Sequence, residues 1–233
     1  MNFKEQLKDY QRLIESELQK NIKKEDCLEK ILNESMAYSL LAGGKRLRPI
    51  LTISTYKLFK QDYEKCMPFA IALEMIHNFS LIHDDLPGID NDDFRHGKPT
   101  NHKKFNEATA ILAGDGLLNK AYMIISQDLA KTKDPRELEL KIRAFGELTR
   151  AIDRLIAGVH VDTEYEGKEI SSEYLEYIHK NKTGEFLKAS MLIGAILADA
   201  NEEQIKSLSK YADIVGLTFQ IRDDILSEIG NPN

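Results

Sequence analysis

The sequence predicts an all-α protein, on three observations. Apolar residues recur at threes and fours along nearly every long segment. No segment shows the strict alternation of a half-buried strand. Capping residues stand where periodic segments begin. Phe3, Leu7, Tyr10, Ile14 and Leu18 predict a first amphipathic helix, and Leu28, Ile31, Leu32, Met36 and Leu40 a second. Cys66, Phe69, Ala70, Leu73 and Ile76 carry the same period into the middle of the chain. Asp134, Pro135 and Glu137 have the order N-cap, first turn, capping box. Asn201 and Gln204 repeat that signal ahead of Ile205, Leu208, Ala212, Val215 and Phe219. Phe186 to Leu197 is apolar on more than one face, as in a helix surrounded by others or one at a large interface. No internal repeat and no low-complexity linker interrupts the chain, so residues 1–233 are read as one domain.

Composition excludes several classes. A net charge of −6 argues against a nucleic-acid binder, which carries a basic face. Cys27 and Cys66 form no metal or redox motif and suit a reducing, cytoplasmic setting. The N-terminus lacks the apolar core of a signal peptide, and the longest apolar run is too short to span a bilayer.

The chemistry concentrates between Glu74 and Thr100, where an apolar helix runs into Asp84, Asp85, Asp90, Asp92 and Asp93, followed by Arg95 and Lys98. Crowded carboxylates repel, so something positive must stabilise them. Mg²⁺ suits: it takes oxygen ligands and sits between one or two carboxylates and substrate phosphates. Arg95 fits the same ligand, since guanidinium pairs with phosphate in a two-pronged geometry. The alternative is a solvated acidic turn. At about 100° per residue, Leu73, His77, Ser80 and Asp84 share one helical face, which offers His77 as a substrate contact.

Other stretches are ambiguous alone. In Leu41 to Pro49, LAGGKRLRP, two glycines end a helix before Lys45, Arg46 and Arg48, which reads as a solvated turn or a diphosphate clamp. Gly114 and Gly116 read as a kink or a close helix crossing. Asp162, Glu164 and Glu166 are outer groups of a metal site or an exposed acidic face. Lys182-Thr183-Gly184, near a helix start, offers an ammonium, a hydroxyl and backbone N–H groups to phosphate. Gln220, Asp223 and Ser227 lie on one face of a last helix that also carries Asp224, a second acidic pair among apolar neighbours.

In their order and spacing, GGKRLRP, LIHDDLPGIDNDD, GKPT, EGKEI, NKTG and FQIRDD resemble the trans-polyprenyl (isoprenyl) diphosphate synthase family, with the strongest likeness to bacterial farnesyl diphosphate synthases. The resemblance runs from about residue 30 to the end. It implies an isoprenoid-synthase-like helical bundle around a central active-site cavity, and a homodimer. It implies condensation of isopentenyl diphosphate with an allylic diphosphate, dimethylallyl or geranyl, by Mg²⁺-assisted ionisation. Two or three Mg²⁺ ions would be held by Asp84, Asp90 and Asp223, with Asp85 and Asp224 beside them. Arg95, Lys182, Thr183 and Gln220 would orient the allylic diphosphate. Lys45, Arg48, His77 and His96 match positions that hold isopentenyl diphosphate. Phe79 and Ser80, just before the first acidic motif, match positions that set chain length, and Phe79 resembles the farnesyl-making type. The helical wheel puts Phe79 about 140° from Asp84, with Ser80 nearer its face.

Four positions depart from the family pattern. His96 stands where a second arginine is usual, and is mostly neutral at pH 7. Val159 replaces the glutamine of GGQ, Ser227 replaces the third aspartate of the second motif, and the chain stops at Asn233. The expectation from that stop is a synthase domain lacking the family's C-terminal helices. Alternatives are a non-catalytic partner of a heteromeric synthase, or a geranyl or geranylgeranyl diphosphate synthase. A related terpene cyclase would lack the clamp of Lys45, Arg48 and His77.

Overall fold

A computed structural model describes residues 2–22 and 27–229, without the side chains of residues 223–229. The described residues are almost entirely helical, as the periodicity predicts. The helices are α1 (Phe3–Asn21), α2 (Lys30–Leu40), α3 (Leu47–Tyr56), α4 (Met67–Asp84), α5 (Asn101–Lys104), α6 (Glu107–Lys131), α7 (Pro135–Tyr165), α8 (Ser172–Ile178), α9 (Glu185–Leu197) and α10 (Glu202–Ile229). Between α4 and α5 lies an antiparallel hairpin, β1 (Phe94–Arg95) and β2 (Lys98–Pro99), which the sequence pattern did not predict. Two residues per strand are too few for alternation to register.

The chain divides into two compact units, Met1–Ile53 with Glu64–Thr132, and Ser54–Tyr63 with Lys133–Asn233. The first is built on α4, whose predicted face of Cys66, Phe69, Ala70, Leu73 and Ile76 is fully buried. The rest of α4 is also largely buried, so its pattern is that of a surrounded helix. α6 packs along it, and the two glycines permit the approach. A Cβ at Gly114 would collide with the His83 ring, and one at Gly116 with the Met36 sulfur. The close-crossing reading of these glycines holds at side-chain level.

The amphipathic stripes at the N-terminus are buried only in part. Ile14 and Leu18 of α1 are buried, whereas Phe3 is 75% exposed. On α2, Met36 and Leu40 are buried, but Leu28 precedes the helix and is exposed, as is Ile31. The periodicity gave the face and not how far along it the core extends.

The second unit centres on α9, buried along nearly its whole length against α7 and α10. The Asp134 cap accepts from Glu137 N at 2.7 Å. The Asn201–Gln204 box closes in both directions, at 2.8 and 2.9 Å. Between α8 and α9 the segment His179–Gly184 forms a π-helical turn. NKTG was expected near a helix start; it lies inside a continuous helical path, and the Glu185 N–H returns to Lys180 O. The extra residue of a π turn must be accommodated by a neighbour. Gly158 of α7 does so, since a Cβ there would strike the backbone of Asn181 and Lys182.

A buried charge organises the first unit. After Gly43 (φ 99°) and Gly44 (φ 132°), Arg46 adopts φ 50° and turns its guanidinium inward. Arg46 is 3% exposed; its Nε reaches Glu15 of α1 at 2.7 Å and its Nη1 reaches Glu74 of α4 at 2.7 Å. Nη2 donates to Leu40 O at 2.8 Å. Breaking a buried pair leaves an uncompensated charge, at a cost of about 3–5 kcal/mol. Arg46→Ala is therefore expected to lower the unfolding free energy by about that amount, measured by urea denaturation. A loss within the range of a surface substitution would show that this pair does not organise the unit.

Candidate functional site

In the first unit the acidic stretch closes on itself. Asp84 is the last residue of α4, and Asp90 N donates back to Asp84 O at 2.9 Å. The loop returns, so Asp84 and Asp90 belong to one turn despite the residues between them. Asp84 and Asp85 are buried, at 8% and 3% exposed, whereas Asp90, Asp92 and Asp93 are exposed. The solvated-turn alternative fails for the first pair.

Arg95 projects from β1 onto Asp85. Its Nε and Nη2 contact Asp85 Oδ1 at 2.7 and 2.6 Å. The register pairs Arg95 with Lys98 across a two-residue turn, His96 (φ 52°) and Gly97 (φ 73°). Positive φ at both positions makes the tight turn that matches strand twist. Burial raises the Asp85 carboxyl above its ordinary range, with Arg95 opposing. Arg95 is itself raised, because Asp85 outweighs the effect of burial.

A cationic cluster adjoins this pair. Burial lowers the Arg48 guanidinium to about 10, with the Glu74 carboxylate opposing. His77 is held well below its ordinary 6.5, first by burial and then by Arg48, Arg46, Arg95 and His96. Its ring keeps some solvent contact, but that is a partial opening in a densely packed surround. A neutral imidazole among several cations is the electrostatic outline of an anion site. Lys45 is exposed at the mouth of this loop, and its carbonyl accepts from Gln11 Nε2 at 3.2 Å. A cavity of about 50 Å³ in the same unit is lined by Gly43, Asn78, Asp85, Arg95, His96 and Thr100, among others. Phe79 is buried with its ring edge-on to His83, centroids 4.8 Å apart, and Ser80 donates to His77 O at 2.9 Å.

In the second unit, Lys182 projects from the π turn to Asp162 Oδ2 of α7 at 2.5 Å. Sequence left Asp162 between two readings; its carboxylate is the partner of Lys182. Thr183 and Gln220 are half-buried. The side chains of Asp223, Asp224 and Ser227 lie outside the described residues.

Sequence reasoning missed the Arg46–Glu74 pair and the buried Thr100-Asn101-His102 run. Glu74 had a signal: a lone carboxylate inside MPFAIALEMI must be paired if that helix is surrounded. The run had only its position behind GKP.

The donor set suits a hard divalent cation. Carboxylate oxygens on one closed turn match Mg²⁺, which shares its coordination with phosphate. Among the described residues no group of three or more His, Cys, Asp or Glu side chains could hold an ion unaided. The arrangement thus defines an all-α protein with a closed acidic turn beside a cluster of buried cations.

The comparisons agree. The family model described as polyprenyl synthetase matches residues 29–233. A farnesyl diphosphate synthase of Geobacillus stearothermophilus is 47% identical, over 86% of this chain and 69% of its own length. A chloroplastic geranylgeranyl pyrophosphate synthase of Catharanthus roseus is 49% identical, and the chain covers 54% of it. The crystal structure of an FPP/GFPP synthase from Zymomonas mobilis superposes with TM-score 0.90 at 33% identity, covering 97% of this chain and 81% of that one. The chain belongs to the polyprenyl synthetase family, whose members are trans-prenyltransferases.

The His77 environment has a measurable consequence. The folded imidazole stays neutral where an unfolded one, with its ordinary value of 6.5, takes up a proton. Stability from this group is full above the unfolded value and falls as pH drops below it, by at most about 1.4 kcal/mol per pH unit. Wild type is expected to lose more stability than His77→Gln between about pH 7 and pH 5 in urea denaturation. Equal losses would show that His77 titrates normally in the folded chain.

Proposed function

We propose that this chain condenses isopentenyl diphosphate with an allylic diphosphate and that its product is farnesyl diphosphate. The observation that carries the reading is the cluster of Arg48, Arg95 and a neutral His77 beside the closed Asp84–Asp90 turn. Two diphosphates need two sets of charges, and this unit has both an acidic and a basic one. Asp84 and Asp90, with Asp223 from the second acidic motif, are the metal ligands in this reading. When bound there, Mg²⁺ supplies Lewis-acid neutralisation of the departing diphosphate.

The chain's own residues do the rest. Arg95, kept in place by Asp85, presents a fixed cation to the allylic diphosphate, whose negative charge grows as the C–O bond weakens. Lys182, Thr183 and Gln220 serve that same diphosphate. Lys45, Arg48, His77 and His96 bind isopentenyl diphosphate. His77 is neutral in the bare pocket, and an arriving anion favours its protonated form. Apolar packing around Phe79 keeps water from the carbocation and limits chain growth. The farnesyl assignment draws on the Geobacillus relative and on the aromatic at Phe79. Two copies form a homodimer in this reading, with exposed Leu112 and Met123 of α6 offering apolar surface. The setting in this reading is the cytoplasm, where the free Cys27 and Cys66 stay reduced. No described helix is long and apolar enough to cross a membrane.

The test is a Mg²⁺-dependent assay with dimethylallyl and isopentenyl diphosphates, products sized by mass spectrometry. A fifteen-carbon product is expected, and Asp84→Ala should lower turnover by at least about a hundredfold. A twenty-carbon product would move the assignment to geranylgeranyl diphosphate, and retained turnover in Asp84→Ala would refute its role as ligand. His96→Arg is expected to lower KM for isopentenyl diphosphate severalfold, because a guanidinium is charged at every working pH. An unchanged KM would show that position 96 does not touch this substrate.

A further inference from the structure

The Thr100-Asn101-His102 run is buried and almost fully hydrogen-bonded. Asn101 Nδ2 donates to Ser35 O at 3.0 Å and Ser39 Oγ at 2.8 Å, and its Oδ1 accepts from Ser35 Oγ at 2.7 Å. Thr100 Oγ1 lies 2.7 Å from Asp92 O and 3.2 Å from His102 Nδ1. Thr100 N donates to Asp93 O at 3.0 Å. One atom stands out: His102 Nε2 is buried and has no hydrogen-bond partner.

These contacts fix the tautomer. A threonine hydroxyl has a single hydrogen. Asp92 O can only accept, so the shorter contact takes that hydrogen. The Thr100 oxygen must then accept from His102, which puts the ring proton on Nδ1. The opposite tautomer would set two acceptors against each other at 2.7 Å and leave a buried N–H on Nε2 without an acceptor. A protonated ring would leave the same orphan donor. Orphaned buried donors are rarer than under-used acceptors, so the neutral Nδ1–H form is the one the fold tolerates.

The chain Asp92 O, Thr100 Oγ1, His102 Nδ1 spans the base of the hairpin that carries Arg95. We propose that His102 is a positioning residue: as the Nδ1–H tautomer it commits the Thr100 hydroxyl to the Asp92 carbonyl, and so fixes the hairpin that holds Arg95 on Asp85. The functional part of this proposal rests on the reading of Arg95 as a diphosphate ligand.

The test has two arms. In the first, ¹⁵N NMR of the imidazoles in the full chain is expected to find His102 protonated on Nδ1 and bare on Nε2 at neutral pH. A proton on Nε2 overturns the proposal, and this arm needs no turnover. In the second, His102→Asn keeps a donor at the δ position and His102→Gln does not. Thr100→Ser keeps the hydroxyl and Thr100→Val does not. The Gln and Val variants are expected to lose about tenfold in kcat, the equivalent of one hydrogen bond, while Asn and Ser stay near wild type. The Arg95 Nε–H resonance is expected to move only in the Gln and Val variants. Equal behaviour of Asn and Gln in both kcat and that resonance overturns the proposal. If the wild-type chain shows no turnover, the functional reading fails, and the tautomer and the Arg95 resonance decide the positioning role.

Discussion

Everything in the first unit depends on how charge is handled where water is scarce. Arg46 is buried and serves two carboxylates on two helices, Glu15 and Glu74. Such a pair is weak evidence of net stability, because desolvating both partners costs nearly what their attraction returns. Its value is in register. An arginine that must meet both glutamates fixes α1 against α4, and it sets the turn at Gly43 and Gly44. Lys45 and Arg48 flank it in the chain, so the positions of these two cations follow from a structural ion pair between them.

The same logic governs the end of α4. Asp84 and Asp85 are buried side by side, which their mutual repulsion opposes. Arg95 answers Asp85 through a hairpin of two residues per strand, and the hairpin is held by Thr100 and Thr100 in turn by His102. Asp84 keeps its place at the helix terminus with the loop folded back on it. An acidic turn, a neutral histidine and three arginines thus share one small region, and their charges balance only approximately. In the proposed function, a metal ion and a diphosphate would bring charges of both signs to that region.

The second unit meets a different constraint. A lysine must reach from a continuous helical path, and the π turn that displaces Lys182 requires a neighbour without a side chain. Gly158 supplies it on α7. Gly216 of α10 crosses the same turn at Gly184, where a Cβ would sit 3.1 Å from the Gly184 Cα. Small residues on two flanking helices therefore permit an irregular helix, and Asp162 receives the ammonium it presents.

By itself the sequence determined the helical class, because the 3.6-residue period needs no tertiary information. It also determined the family motifs, since residue types at fixed spacing survive without coordinates. It set Asp84, Asp85 and Arg95 in one stretch with His77 on the helical face of Asp84, while Arg48 joined His77 only through the family resemblance. Tertiary structure alone decided which charges meet. Asp162 was one acidic residue among three until α7 was laid beside the π turn. Glu74 and Arg46 are separated by 28 residues and pair only after both are buried. Leu28 and Ile31 continued an apolar stripe that the core does not reach. The reason is common to all three: periodicity is a property of one segment, whereas burial and pairing depend on what a second segment brings into contact.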